Sequence, residues 1–112
     1  MKVSARLDEA RIEVFAGRTI KTLLDPGATG TRGLTLGVII YEPGCIVEPH
    51  THSDQEALYV LKGRGEARIG SETVELRPGT AVYMREGVVH SVVNPSTDPI
   101  EAVLIHAPTS TT

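Results

Sequence analysis

Residues 44–63 read GCIVEPHTHSDQEALYVLKG. Inside this stretch His50 and His52 stand two apart. In an extended chain such a pair projects to one face, which sets the two imidazoles about 6.5 Å apart along the strand. That geometry converges on one ion. Glu56 follows at the same parity and can add a carboxylate oxygen once Ser53–Gln55 turn the chain or continue it. Two imidazoles and one carboxylate form a set that leaves open positions on a divalent transition metal. His90 lies in a later segment, and antiparallel pairing of the two segments can bring it to the same interior.

Outward from this stretch, glycine and proline punctuate the chain. Eleven Gly and seven Pro in 112 residues cut the sequence so finely that, after Phe15, only residues 50–62 offer a run long enough for even a modest helix. The segments between the breakers are filled by Val, Ile and Thr, the β-branched residues that fit a pleated surface. Strands are predicted over 11–16, 18–24, 34–42, 45–50, 55–62, 65–70, 72–77, 80–85, 89–94 and 99–106. Their regular spacing indicates an all-β sandwich or barrel. In residues 1–10, Val3, Leu7 and Ala10, with Val14 beyond, have helical spacing, which suggests a short helix, although Ile12 and Val14 alternate as a strand does. The local pattern is sharpest at 66–76, where Gly70–Ser71 suits the two-residue turn of a hairpin. Residues 26–33 read as a loop and 107–112 as a frayed tail.

Length and charge remove several classes of function. A chain of 112 residues suits one domain, here residues 1–112 with 1–10 as an N-terminal extension. A formal charge of −3, from 11 Lys+Arg against 14 Asp+Glu, offers no basic patch for nucleic acid or an anionic membrane surface. No apolar stretch approaches a membrane span, and the first residues lack a signal peptide's apolar region, so a cytoplasmic protein is expected. The single cysteine, Cys45, excludes an internal disulfide and a Cys-rich zinc finger, and reads as a small apolar residue in a strand. Neither Gly27-x-x-Gly30-x-x-Gly33 nor Gly63-x-Gly65 both follows a strand and opens a plausible helix, so they are turn glycines and not phosphate cradles. No serine sits in a strand-turn-helix elbow, and Cys45 has no nearby histidine partner, which leaves nucleophilic catalysis without support.

With the histidines placed, Gly44-x5-His50-x-His52-x3-Glu56-x6-Gly63 resembles the first motif of the cupin superfamily, complete at every defining position. Gly79-x5-Arg85-x-Gly87-x2-His90-x3-Asn94 is similar to the second motif, with Arg85 where the family usually has proline. The two motifs span residues 44–94, and the short stretch between them is that of small single-domain members. The resemblance implies a double-stranded β-helix, a jelly-roll barrel, which agrees with the all-β reading. It implies that His50, His52, Glu56 and His90 ligate one divalent metal (Fe, Mn, Ni or Zn). Gly44, Gly63, Gly79 and Gly87 would serve turns, and Asn94 a hydrogen bond that fixes backbone.

Three further residues are candidates for chemistry. His106 shares parity with Ile100, Ala102 and Leu104, and either face of that strand can be the inner one; inward, it is an acid/base group. Arg85 can clamp a ligand carboxylate in two-pronged geometry, with Tyr83 on the same face and Val82 and Met84 opposite. Tyr41 and Tyr59 read as packing residues at sheet edges or an interface. The favoured function is a metal-dependent enzyme of dioxygenase type acting on a small carboxylate or sugar-derived molecule. The alternatives are a redox-neutral isomerase, lyase or decarboxylase, and a module that binds a small ligand without turning it over. A homodimer is expected, because Ile12, Val14, Phe15, Ile20, Leu23 and Leu24 in 11–24 offer more apolar area than a small barrel buries.

Overall fold

The computed structural model describes residues 2–109, and within it every segment predicted to be extended is a strand. Residues 110–112, the end of the expected tail, lie outside the described residues. The strands are β1 (Arg11–Phe15), β2 (Arg18–Leu24), β3 (Thr35–Tyr41), β4 (Ile46–His50) and β5 (Gln55–Lys62), followed by β6 (Gly65–Ile69), β7 (Glu72–Leu76), β8 (Ala81–Met84), β9 (His90–Val93) and β10 (Ile100–Ala107). The helix suggested in residues 1–10 is reduced to one 3-10 turn, Leu7–Glu9, which buries no residue. A single turn with nothing to pack against cannot offset the cost of helix nucleation. Among the described residues no helix is long and apolar enough to cross a membrane.

All pairings are antiparallel. One sheet runs β1-β2-β3-β10-β5-β8 and the other β4-β9-β6-β7, so the chain crosses repeatedly between two walls in a jelly roll. The period of two in side-chain direction builds the interior. Along β10, Ile100, Ala102 and Leu104 are buried, and their register partners include Leu58 on β5 and Ile39 on β3. The four-stranded sheet contributes Val47, Ala67, Leu76 and Val92 to the same core. Each such aliphatic side chain contributes about 1.5–3 kcal/mol when fully buried.

Turns and side-chain anchors close the ends of the barrel. Gly70 opens the β6–β7 hairpin at φ 59°, the left-handed value that the first residue of a II′ turn requires. At Gly63, also at positive φ, a Cβ atom would collide with the Pro99 carbonyl, so the end of β5 passes close to the entry of β10 only because no side chain is there. Asn94, fully buried, donates from Nδ2 to the carbonyls of Tyr41 (3.0 Å), Glu42 (3.2 Å) and Asp98 (2.9 Å). Its Oδ1 accepts from the amide (3.1 Å) and hydroxyl (2.8 Å) of Ser96. Asn94 thus ties the end of β9 to the end of β3 and fixes backbone, as the resemblance implied. Asp25 does the same for the 26–33 loop, accepting from the Ala28 amide (2.7 Å) and from the Arg11 guanidinium (2.6 Å).

Several positions depart from the sequence reading. Cys45 is buried, but in the turn before β4 and not in a strand. Tyr41 is buried on β3, an inner strand of its sheet, and not at an edge. Ile20 faces the interior, so only part of the apolar content of 11–24 is displayed outward.

Candidate functional site

The two sheets enclose a cavity of about 190 Å³. Its lower walls are apolar: Ile20, Ile39, Val47, Met84, Val92 and Leu104. At its polar end stand His50, His52, Glu56, His90 and His106, brought there by four strands and one connection. His50 and His90 are register partners across β4 and β9. Glu56 and His106 are partners across β5 and β10, in the facing sheet. His52 follows β4 in the connection to β5, where a bend at 53–54 reverses the chain and lets Glu56 return to the same space.

The donor atoms of His50, His52 and His90 all lie within 4.8 Å of one another. Ring centroids are 4.3 Å apart for His50–His90, 4.8 Å for His52–His90 and 5.9 Å for His50–His52. The Nδ1 of His50 lies 2.8 Å from the Glu48 carbonyl, and that of His90 lies 3.0 Å from the Val88 carbonyl. A carbonyl can only accept, so each Nδ1 carries the proton and each Nε2 is left as a lone-pair donor. The Nε2 of His90 is buried and has no hydrogen-bond partner, although it lies 3.4 Å from Glu56 Oε1. A buried nitrogen lone pair without a partner costs free energy unless something electropositive meets it. The three-histidine group with Glu56 beside it is therefore chemically suited to a divalent cation.

The electrostatics of two of these imidazoles differ in direction. Burial lowers the pKa of His90 despite the Val88 carbonyl and the Glu56 charge, so its neutral, ligating form is favoured. At His52 burial also opposes the charged form. There the hydrogen bond to Glu56 (2.8 Å), the charge of Glu56 and the contacts to Asp54 prevail, and the pKa is raised.

His106 faces inward, which resolves the open parity of β10. Its Nδ1 is 3.0 Å from Asp54 Oδ2, its Nε2 is 3.7 Å from Glu56 Oε1, and its ring centroid is 5.0 Å from that of His52. The other oxygen of Asp54 lies 2.6 Å from His52 Nδ1, so one carboxylate braces two imidazoles. Sequence reasoning missed Asp54, because a loop residue between two candidate ligands has no parity to read. Arg18 was missed too: it begins β2, half-buried, and lines the cavity with its guanidinium 5.3 Å from the Phe15 ring centroid.

Arg85 and Tyr83 are not brought to the cavity. β8 alternates with Val82 and Met84 inward, as expected, which turns Tyr83 to the outer face. There its hydroxyl donates to Gln55 Oε1 at 2.9 Å. Arg85 follows the last residue of β8, exposed and at the same outward parity. Neither residue lines the cavity, so the expected ligand clamp on this pair finds no support in its walls.

A two-walled antiparallel barrel with imidazoles and a carboxylate converging inside it is a jelly roll whose interior could hold a metal ion. The chain belongs to the cupin family, whose cupin domain matches residues 37–106. It is 28% identical over 107 residues to an uncharacterized protein of Streptomyces coelicolor, covering 94% of this chain and 96% of that one. To the dimethylsulfoniopropionate lyase DddW of Ruegeria pomeroyi it is 30% identical over 73 residues, which are 65% of this chain and 48% of the lyase. The chain thus spans about half the length of that enzyme. The polyketide cyclase RemF of Streptomyces resistomycificus has the same fold at a TM-score of 0.83 and 20% identity, over 97% of this chain and 81% of RemF.

Proposed function

We propose that the protein is a metal-dependent enzyme that moves a proton on a small organic substrate without net oxidation, in the manner of a lyase, isomerase or cyclase. The observation that carries this reading is His106, an imidazole outside the three-histidine group, held by Asp54 at 3.0 Å and facing the same cavity. His50, His52, Glu56 and His90 would hold the ion, one divalent transition metal. Bound there, such an ion supplies a Lewis acid that polarises a substrate oxygen. Asp54 orients His106 by accepting from its Nδ1–H, which presents Nε2 to the cavity as the atom that takes or returns a proton. The apolar walls exclude water from the carbon skeleton and shape which molecule fits. DddW is named as a lyase and RemF as a cyclase, and both names support redox-neutral chemistry over the dioxygenase reading.

The test pairs elemental analysis of protein purified without chelator with turnover assays under anaerobic conditions. Activity on a small organic substrate without oxygen, lost in His106→Ala with metal content kept, supports the reading. Stoichiometric oxygen uptake during turnover would instead establish the dioxygenase. Tight ligand binding with no product would establish the binding module.

We further propose a homodimer that uses the outer face of the six-stranded sheet. Ile12, Val14, Tyr59, Leu61 and Tyr83 are exposed, and strand register turns them all to this outer side. Exposed apolar side chains at both ends of a sheet face are what an isologous interface can cover.

A further inference from the structure

The cavity holds one permanent cation among its lining residues, Arg18. Arg18 starts β2 at inward parity, opposite Tyr41 in register and two residues before the inward-facing Ile20. It is half-buried, and its guanidinium packs over the Phe15 ring. Among the described residues it forms no ion pair, whereas Arg6, Arg11 and Arg64 each meet a carboxylate. Its charge is felt inside: it favours the ionised forms of Tyr41 and Cys45, although burial dominates at both and raises their pKa values. A guanidinium stacked on an aromatic ring is restrained in orientation, loses less freedom on binding, and keeps its in-plane donors available. With no protein carboxylate to take those donors, a ligand carboxylate fits them.

We infer that Arg18 is the carboxylate-binding residue of this cavity, so that the substrate class is a small organic acid. Its carboxylate pairs with Arg18 while a second oxygen lies toward the three-histidine group. The inference rests on the cavity being the metal-dependent site proposed above, and it names that site's substrate class. It also transfers the role expected of Arg85 to an arginine that the fold turns inward. Specificity would then follow from the fixed placement of two polar anchors across apolar walls, which selects acids by the distance between carboxylate and second oxygen.

The experiment uses the full chain loaded with zinc and isothermal titration with acetate, succinate, glutarate and the uncharged succinamide. Acetate reaches one anchor, whereas a diacid reaches both. The better-fitting diacid should bind at least about tenfold tighter than acetate, and succinamide should not show that gain. Arg18→Met, which keeps the apolar stem over Phe15, should weaken diacid binding roughly tenfold to a hundredfold, with zinc stoichiometry unchanged. Arg18→Lys should recover little, because an ammonium lacks the paired donor geometry. Diacids that bind no better than acetate, or that bind Arg18→Met as well as the wild type, would overturn the inference. Should Arg18→Met fail to fold, Arg18→Gln is judged by the same comparison. A wild type that takes up no zinc overturns the metal reading; Arg18 is then judged on metal-free protein, where equal succinate binding by wild type and variant overturns its role and loss in the variant supports it.

Discussion

Replacing Asn94 by alanine removes five side-chain hydrogen bonds at once, three donated to carbonyls and two accepted from Ser96. A typical intramolecular hydrogen bond contributes about 0.5–1.5 kcal/mol net, and a buried group left unpaired costs about 1–3 kcal/mol. The Tyr41 carbonyl is the buried partner, while the bonds to Glu42, Asp98 and Ser96 lie where water can replace part of what is lost. The total is therefore a loss of about 3–4 kcal/mol, at the upper end of single substitutions. Urea denaturation followed by circular dichroism should show that loss with an unchanged slope, since the surface exposed on unfolding is the same. Asn94→Asp is the sharper control. It keeps the shape and the two acceptor contacts but sets a second oxygen against three carbonyls, and should be at least as damaging. A loss below about 1 kcal/mol in both variants would refute the claim that Asn94 anchors the end of the barrel.

Other consequences are equally open to measurement. Metal binding only to the folded chain should raise thermal stability, by about 2.7 kcal/mol at a hundredfold excess over Kd, and His90→Ala should abolish most of that gain in differential scanning fluorimetry. The hydrogen bond from Arg11, then the Ala28 amide, hold Asp25 below the usual carboxylate range against the effect of burial. A depressed pKa contributes stability that is present above the unfolded value of about 3.9 and is lost as pH falls through the folded one, so Asp25→Asn should flatten the acid limb of the urea midpoint against pH. Light scattering at tens of micromolar should give twice the 12.0 kDa chain mass, and Tyr59→Lys combined with Tyr83→Lys should give a folded monomer. A monomeric wild type would remove the dimer.

The strands were legible because glycine and proline bound each one and β-branched residues fill it. The histidine cluster was legible for a similar reason: parity within the segment puts His50 and His52 on one side, and pairing of segments brings His90 opposite. Parity alone cannot say which side is inner. For β10 both faces are apolar, so His106 stayed open until the register with Leu58 and Glu56 decided it. Arg18 illustrates the same limit from the other direction. A charged residue beside a glycine turn reads as surface, and only the closure of β2 against β3 turns it into the cavity. Arg85 was misplaced because it is unusual within its motif, and an unusual residue draws attention whether or not its strand points inward.

The four side chains suited to an ion differ in how firmly the fold holds them. Glu56 and His90 are buried, on strands flanked on both sides by neighbours in their sheets. His50 is exposed and closes β4, an edge strand whose register with β9 slips between Val47 and His50 and which carries Pro49. Edge strands past a bulge open at lower free energy than the strands inside a sheet. An ion at this site would therefore have a door, and His50 is its leaf. Exchange of the ion would begin with His50 swinging away while the deeper donors stay in place, so the rate of metal loss would report the stiffness of β4, and its affinity the depth of the other three.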